Sequence, residues 1–154
     1  MKRLELLLPP LPLTLILSLG IFAFAYFLPN TNIQIDRSIQ EWAIAFWVLA
    51  IVFVLPAAIS FFKAKTTVDP RYPEKSKALV INGLYKISRN PMYVGFLFIL
   101  MGCTLFTGNI IGALITILFV PYMNRFQISP EELHLKDTFG EQYIDYCQRV
   151  RRWL

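Results

Sequence analysis

Polar and charged residues gather where long apolar runs begin and end, and their types could do chemistry. Arg89-Asn90-Pro91-Met92-Tyr93-Val94-Gly95 opens one such run, and Arg125, Glu131-Glu132, Phe139-Gly140, Tyr143 and Tyr146 follow its end. Two adjacent carboxylates near a cation suit a cationic ligand, although acidic residues in a first helical turn also simply complement the macrodipole. His134, the single histidine, lies one turn from Glu131 and could act as a base. A solvated helix position is its more ordinary reading. One His and no paired Cys give too few soft ligands for a metal. Cys147 could be a nucleophile, but a small, half-buried residue is the expectation, and Cys103 falls too deep in the membrane to pair with it. In the opening segment, Arg89 could snorkel, Tyr93 could be an interfacial aromatic and Gly95 could let two helices approach.

The elements that must carry these residues are read from hydropathy. The chain is 154 residues long, which indicates one domain spanning 1–154. It is 56% hydrophobic and only 16% charged, with mean hydropathy +0.52. Soluble domains carry about 25% charged residues, so the chain is membrane-embedded. Residues 11–28 form one span, inside a charge-free run over 6–35, and 42–62 form a second. Residues 90–124 carry no charge, too long a run for one span of roughly 20 residues. Gly108-Asn109 is a turn dipeptide near its middle, so 92–107 and 110–123 are expected as a hairpin of two short helices. The fold class is all-α: a polytopic membrane protein with about four transmembrane helices and short C-terminal cytoplasmic helices. Residues 1–62 hold the two N-terminal spans, and 63–154 the remainder.

Of the 15 Lys and Arg residues, only Arg37 lies between the first two spans. The positive-inside rule then places both termini in the cytoplasm. This topology accounts for the basic pI near 9.4, so nucleic-acid binding is not needed to explain it. Lys2-Arg3, an apolar core and Ala23-Phe24-Ala25 have the outline of a signal peptide, but a true first span is expected.

Local signals place the ends of the elements. Residues 66–73 read as extended structure and turns, and Leu79-Val80-Ile81 is a short apolar run closed by Asn82-Gly83. Backbone groups laid along a membrane surface need partners, and a bound polar cofactor would be one. Asn90 is expected as the N-cap of the third span, with Pro91 at its first position. Ser129-Pro130-Glu131-Glu132 predicts a fresh helix start with a capping box from Ser129 to Glu132. That helix should run over about 130–136 and end at Phe139-Gly140, with Gly140 past its terminus. A last helix over 141–152 would gather Tyr143, Tyr146 and Val150 on one face.

Over roughly the last 60% of its length, from about Phe61 to Trp153, the chain resembles the isoprenylcysteine carboxyl methyltransferase family. That group of integral membrane enzymes is akin to the phospholipid N-methyltransferases. The residues that carry the resemblance are Leu79-Val80, Gly83, Tyr85, Arg89 to Gly95, Arg125, Glu131-Glu132, Leu135, Phe139-Gly140, Tyr143, Tyr146 and Val150-Arg151-Arg152-Trp153. The resemblance implies S-adenosylmethionine as cofactor, in a cytoplasm-facing pocket within 63–154. It implies nucleoside contacts from Lys77, Ala78, Leu79, Val80 and Tyr85, a pocket lined by Asn90, Pro91 and Tyr93, and Glu131 on the cofactor's polar groups. Arg125 would face a lipidic or small apolar methyl acceptor, and no metal is implied. Asn90 stands where the family usually has His, and an amide cannot titrate near neutral pH. Two other functions compete: a nicotinamide-dependent reductase akin to the sterol reductases, for which no dinucleotide fingerprint is present, and a non-catalytic four-span protein. Polar residues inside the spans, which transport would require, are few: Thr104, Thr107 and Thr116 stand nearly alone.

Overall fold

A computed structural model describes residues 8–64 and 78–154. The expected extended stretch over 66–73 and the cations Lys2, Arg3, Lys65, Arg71, Lys75 and Lys77 lie outside the described residues. Among the described residues six α-helices follow in order: α1 (Pro10–Phe27), α2 (Arg37–Lys63), α3 (Pro91–Thr107), α4 (Ile110–Met123), α5 (Ser129–Phe139) and α6 (Glu141–Arg149). Among the described residues there is no strand, only two single-pair bridges, Asn32 with Asn109 and Ser88 with Arg151. The protein is an all-α polytopic membrane protein, as expected.

Each apolar helix starts and stops for a local reason. Pro10 and Pro91 occupy first-turn positions, where a missing N–H costs nothing. Asp36 caps α2 by accepting from the Ser38 backbone N–H at 3.0 Å. Gly108 ends α3 with φ +62°, a left-handed conformation that glycine adopts without a Cβ penalty. Asn109 then caps α4, its Oδ1 accepting from Gly112 N at 2.9 Å. The hairpin expected around Gly108-Asn109 is therefore present, with both helix bounds close to those read from the sequence.

By length and composition, Pro10–Phe27, Arg37–Lys63 and a continuous Ile110–Phe139 could cross a membrane, and Pro91–Thr107 is a shorter apolar helix of 17 residues. At 1.5 Å per residue α3 reaches about 26 Å, slightly under a typical hydrocarbon core. The continuity of Ile110–Phe139 departs from the expected fresh start at Ser129. Pro121 lacks an N–H inside α4, and one turn later the ladder slips into a π-helical turn over Asn124–Ile128. Ser129 Oγ donates to the Asn124 carbonyl at 2.7 Å, so the chain passes into α5 without interruption. α5 carries Glu131, Glu132, Lys136 and Asp137 and lies beyond the apolar part of the fourth span.

Helix α3 is the centre of the bundle, packed by α2, α1 and α4. The α2 face uses Ala43, Ala50 and Ala57, all buried and seven residues apart. Opposite them α3 offers Gly95 and Gly102. A Cβ on Gly95 would meet Val54 Cγ2 at 2.5 Å and the Ala50 carbonyl at 3.1 Å, and one on Gly102 would overlap the Trp47 indole. Small residues let these backbones approach closely, the usual basis of helix association in lipid. Ile21, Phe96, Leu100, Phe119, Met123 and Ile128 fill the core.

The α1–α2 and α3–α4 connections meet at one end of the bundle. There Asn109 Nδ2 donates to Thr31 Oγ1 and Asn32 Oδ1, both at 2.7 Å, and Ile33 N donates to the Gly108 carbonyl at 2.8 Å. An apolar cavity of about 520 Å³ lies beside this end, lined by residues including Phe46, Met101, Leu105 and Ala113. Residues 78–90, α5, α6 and the C-terminal tail occupy the opposite end.

Candidate functional site

The polar end is assembled by three elements: the start of α3, the π turn leading into α5, and the tail after α6. Tyr93, two residues into α3, is buried and donates from its hydroxyl to Glu131 Oε1 at 2.6 Å. Gln127, buried within the π turn, donates from Nε2 to the same oxygen at 2.8 Å. A π turn inserts one residue into the helical register and often marks functional positions. Here Gln127 and Glu131 both reach the Tyr93 side. Glu131 is half-buried, with its carboxyl aimed inward at these two neutral donors.

Burial raises the Glu131 carboxyl above the ordinary carboxylate range, and the hydrogen bonds from Tyr93 and Gln127 pull it back only in part. Among the described residues its hydrogen-bond partners, Tyr93 and Gln127, are both neutral. Tyr85, buried and edge-on to Phe61 at 5.5 Å between ring centroids, lies within electrostatic reach of Glu131. Its phenol is raised by burial first, then by Tyr146 and Glu131. Tyr146 in turn donates to the Tyr85 carbonyl at 2.7 Å.

Glu132 has a different role from the one its spacing suggests. It is no capping-box partner, because Ser129, the expected cap, has helical φ −62° and ψ −42° and turns its hydroxyl to the Asn124 carbonyl. A capping residue needs non-helical backbone. Glu132 instead accepts from Arg89 Nη2 at 2.7 Å and from Arg152 Nη2 at 2.5 Å. Burial works against the Arg89 charge, but Glu132 outweighs it and holds that guanidinium above its ordinary value.

Asn90 also departs from the role its type predicts. It sits at the N-cap position of α3 but makes no side-chain cap. Its Nδ2 donates to the Arg152 carbonyl at 2.9 Å, and its backbone N–H donates to Ser88 Oγ at 3.1 Å. The amide nitrogen is committed to the tail.

The other expected site residues divide into two groups. Pro91, Tyr93, Tyr85 and Glu131 come together at the polar end. Ala78 is exposed, while Leu79 packs with Ile81 against Tyr143, Tyr146 and Val150. Val80 is half-buried between them in sequence. Lys77 lies outside the described residues. Arg125 is exposed on the π turn, its guanidinium 5.8 Å from the Phe126 ring centroid. His134 Nε2 lies 3.1 Å from Thr138 Oγ1, within its own helix, which suits its ordinary reading. Cys147 is half-buried against the same tyrosine cluster, also as expected.

Gln127 was not among the expected site residues. Its i, i+4 relation to Glu131 was visible, but the π turn that buries it was not. Asn124, whose Oδ1 accepts from Trp153 Nε1 at 2.9 Å, was missed for the same reason.

A family model described as phospholipid methyltransferase matches residues 39–142. An uncharacterized protein of Haemophilus influenzae is 46% identical over 63 residues, which is 41% of this chain and all of that protein. Protein-S-isoprenylcysteine O-methyltransferase B of Arabidopsis thaliana is 39% identical over 77 residues, 50% of this chain and 39% of that protein. The Schizosaccharomyces pombe protein-S-isoprenylcysteine O-methyltransferase is 33% identical over 76 residues, 49% of this chain and 32% of its own length. The matched stretches thus span less than half of either methyltransferase.

Proposed function

The chain belongs to the phospholipid methyltransferase family, and we propose that it is an S-adenosylmethionine-dependent membrane methyltransferase acting on a lipidic or small apolar acceptor. The single observation that supports this reading most is Glu131 at the polar end, where the described residues that bond to it, Tyr93 and Gln127, are both neutral donors. Such a carboxylate fits the ammonium or ribose hydroxyls of that cofactor. Tyr85, Pro91 and Tyr93 would line the pocket within 63–154, with Ala78 to Val80 at its edge. When bound, the cofactor supplies a sulfonium methyl group for in-line displacement.

The protein's part is alignment, exclusion of water and fixed charge. Glu131 holds a positive group in place. The buried tyrosines keep the surroundings dry, which strengthens that attraction. A carboxylate acceptor is already an anion and needs no base, whereas an amine must shed a proton. Asn90, tied to the Arg152 carbonyl, performs no proton transfer in this reading. Placement at the bilayer surface lets a soluble cofactor meet a lipidic acceptor. The reductase and non-catalytic readings find no support among the relatives.

Calorimetric titration of the purified full chain with S-adenosylhomocysteine and with NADPH tests the reading. Binding of the first and none of the second is expected; the opposite pattern overturns it. We also place both termini in the cytoplasm, since the charged end of the bundle carries Lys63, Lys86, Arg89, Arg125, Lys136, Arg149, Arg151 and Arg152. A cysteine introduced at Asn32 should react with an impermeant reagent applied from outside, and one added after Trp153 should not.

A further inference from the structure

We propose that Glu132 is a positioning residue: by holding Arg89 and Arg152 together it fixes the start of α3 and the C-terminal tail against α5, and so sets Tyr93 against Glu131. This rests on the reading that Glu131 holds the cofactor, and it assigns that site a supporting frame.

The connections converge from three directions. Glu132 Oε1 accepts from Arg89 Nη2 at 2.7 Å and Arg152 Nε at 3.1 Å, and Oε2 accepts from Arg152 Nη2 at 2.5 Å. The Arg152 pairing is bidentate, which adds geometric definition to charge. Arg89 Nη1 donates in turn to the carbonyls of Cys147 at 3.2 Å and Val150 at 3.0 Å. The same guanidinium therefore ties α5 to the end of α6. Backbone joins in: Arg89 N donates to the Arg151 carbonyl at 2.9 Å. Trp153 reaches across to Asn124, so the tail also fixes the π turn that carries Gln127.

The tail thus braces both elements that supply the Tyr93–Glu131–Gln127 group. Exposed ion pairs contribute little, but this carboxylate is only 18% exposed and its Arg89 partner 14%. Removing the charge leaves two guanidinium groups facing each other in a partly dry place. The start of α3 should then shift relative to α5, and Tyr93, whose reach to Glu131 depends on that spacing, shifts with it.

A double-mutant cycle on the full chain in detergent tests this. Glu132→Gln should weaken S-adenosylhomocysteine binding about tenfold in the parent, but less than about twofold in a Tyr93→Phe background, because neighbours acting through one contact are non-additive. Equal losses in both backgrounds would mean a general structural role and overturn the proposal. If Glu132→Gln does not fold, Arg152→Lys, which keeps the charge and loses the fork, enters the same cycle. Hydrogen exchange gives a readout independent of the cofactor. The amides of Ser88, Arg89, Asn90 and Tyr93 should exchange about tenfold faster in Glu132→Gln, with the middle of α3 unaltered. Unaltered exchange at these amides overturns the proposal. Failure of the parent to bind S-adenosylhomocysteine would instead overturn the functional reading, and the exchange result would still decide the role of Glu132.

Discussion

The two ends of the bundle use polar residues in opposite ways. At the α3–α4 turn, Asn109 is 1% exposed, and its side chain bonds to Thr31, Asn32 and Gly112. These groups are neutral and satisfy one another, so the end acts as a staple between two connections. At the other end, Glu132 is neutralised by two arginines, while its neighbour Glu131 meets only neutral donors among the described residues. The difference teaches where to look for function. A satisfied neutral network specifies structure, whereas a half-buried carboxylate without a counter-charge is costly unless a ligand repays it. The apolar cavity of about 520 Å³ lies by the staple and holds no such group.

The contrast can be broken or sharpened by experiment. The largest effect is expected from Glu131→Gln, which should weaken S-adenosylhomocysteine binding by roughly 10- to 150-fold, the worth of a hydrogen bond to a charged group. Its thermal unfolding midpoint should not fall, because the amide removes a charge whose burial is costly. Calorimetry and a melting curve on the same sample decide this, and a lowered Tm with intact affinity would make Glu131 a structural residue.

Asn109→Ala should do the reverse. It leaves Gly112 N–H and the Thr31 and Asn32 side chains short of a partner, at a cost of about 1–3 kcal/mol. The melting curve in detergent should shift down while cofactor affinity stays within about twofold, since changes at well-separated sites act independently. Loss of affinity in this variant would show that the two ends are coupled.

The smallest effect is in pH. Burial raises the Glu131 carboxyl, so as pH falls through that raised value the group takes up a proton and loses its hold on a cation. Affinity should therefore rise with pH, by at most about tenfold per unit below the raised value, as one-proton linkage requires. Stability has the opposite sign. A carboxyl that ionises less readily folded than unfolded costs stability as pH rises from the ordinary carboxylate range to the raised one. Affinity titrations across pH, with Glu131→Gln as the flat reference, check the assignment.

Much of this was legible in the chain itself. Charge-free runs and their lengths specify four apolar helices, because hydrocarbon admits only backbone that bonds to itself. Gly108-Asn109 specifies the hairpin, since one residue tolerates the left-handed turn and the next caps a helix. Gly140, with φ +52°, ends α5 where its type predicts. Tyr143, Tyr146 and Val150 share one buried cluster, although α6 stops at Arg149, short of the helix expected over 141–152, and Val150 joins from extended backbone. Tyr93 and Glu131 were singled out by residue type and a family resemblance.

Only the tertiary structure decided what the polar groups touch. Ser129 and Glu132 have capping-box spacing, yet the helix continues through a π turn and leaves no end to cap. Asn90 has the type of an N-cap, yet its amide turns to a carbonyl 62 residues away. Arg89 and Glu132 are 43 residues apart and pair at 2.7 Å. Local spacing determines which backbone groups need a partner. A side chain's choice among partners depends on which segments packing brings alongside, and that is set by the Ala43–Ala50–Ala57 and Gly95–Gly102 seam and by the tail laid over the start of α3.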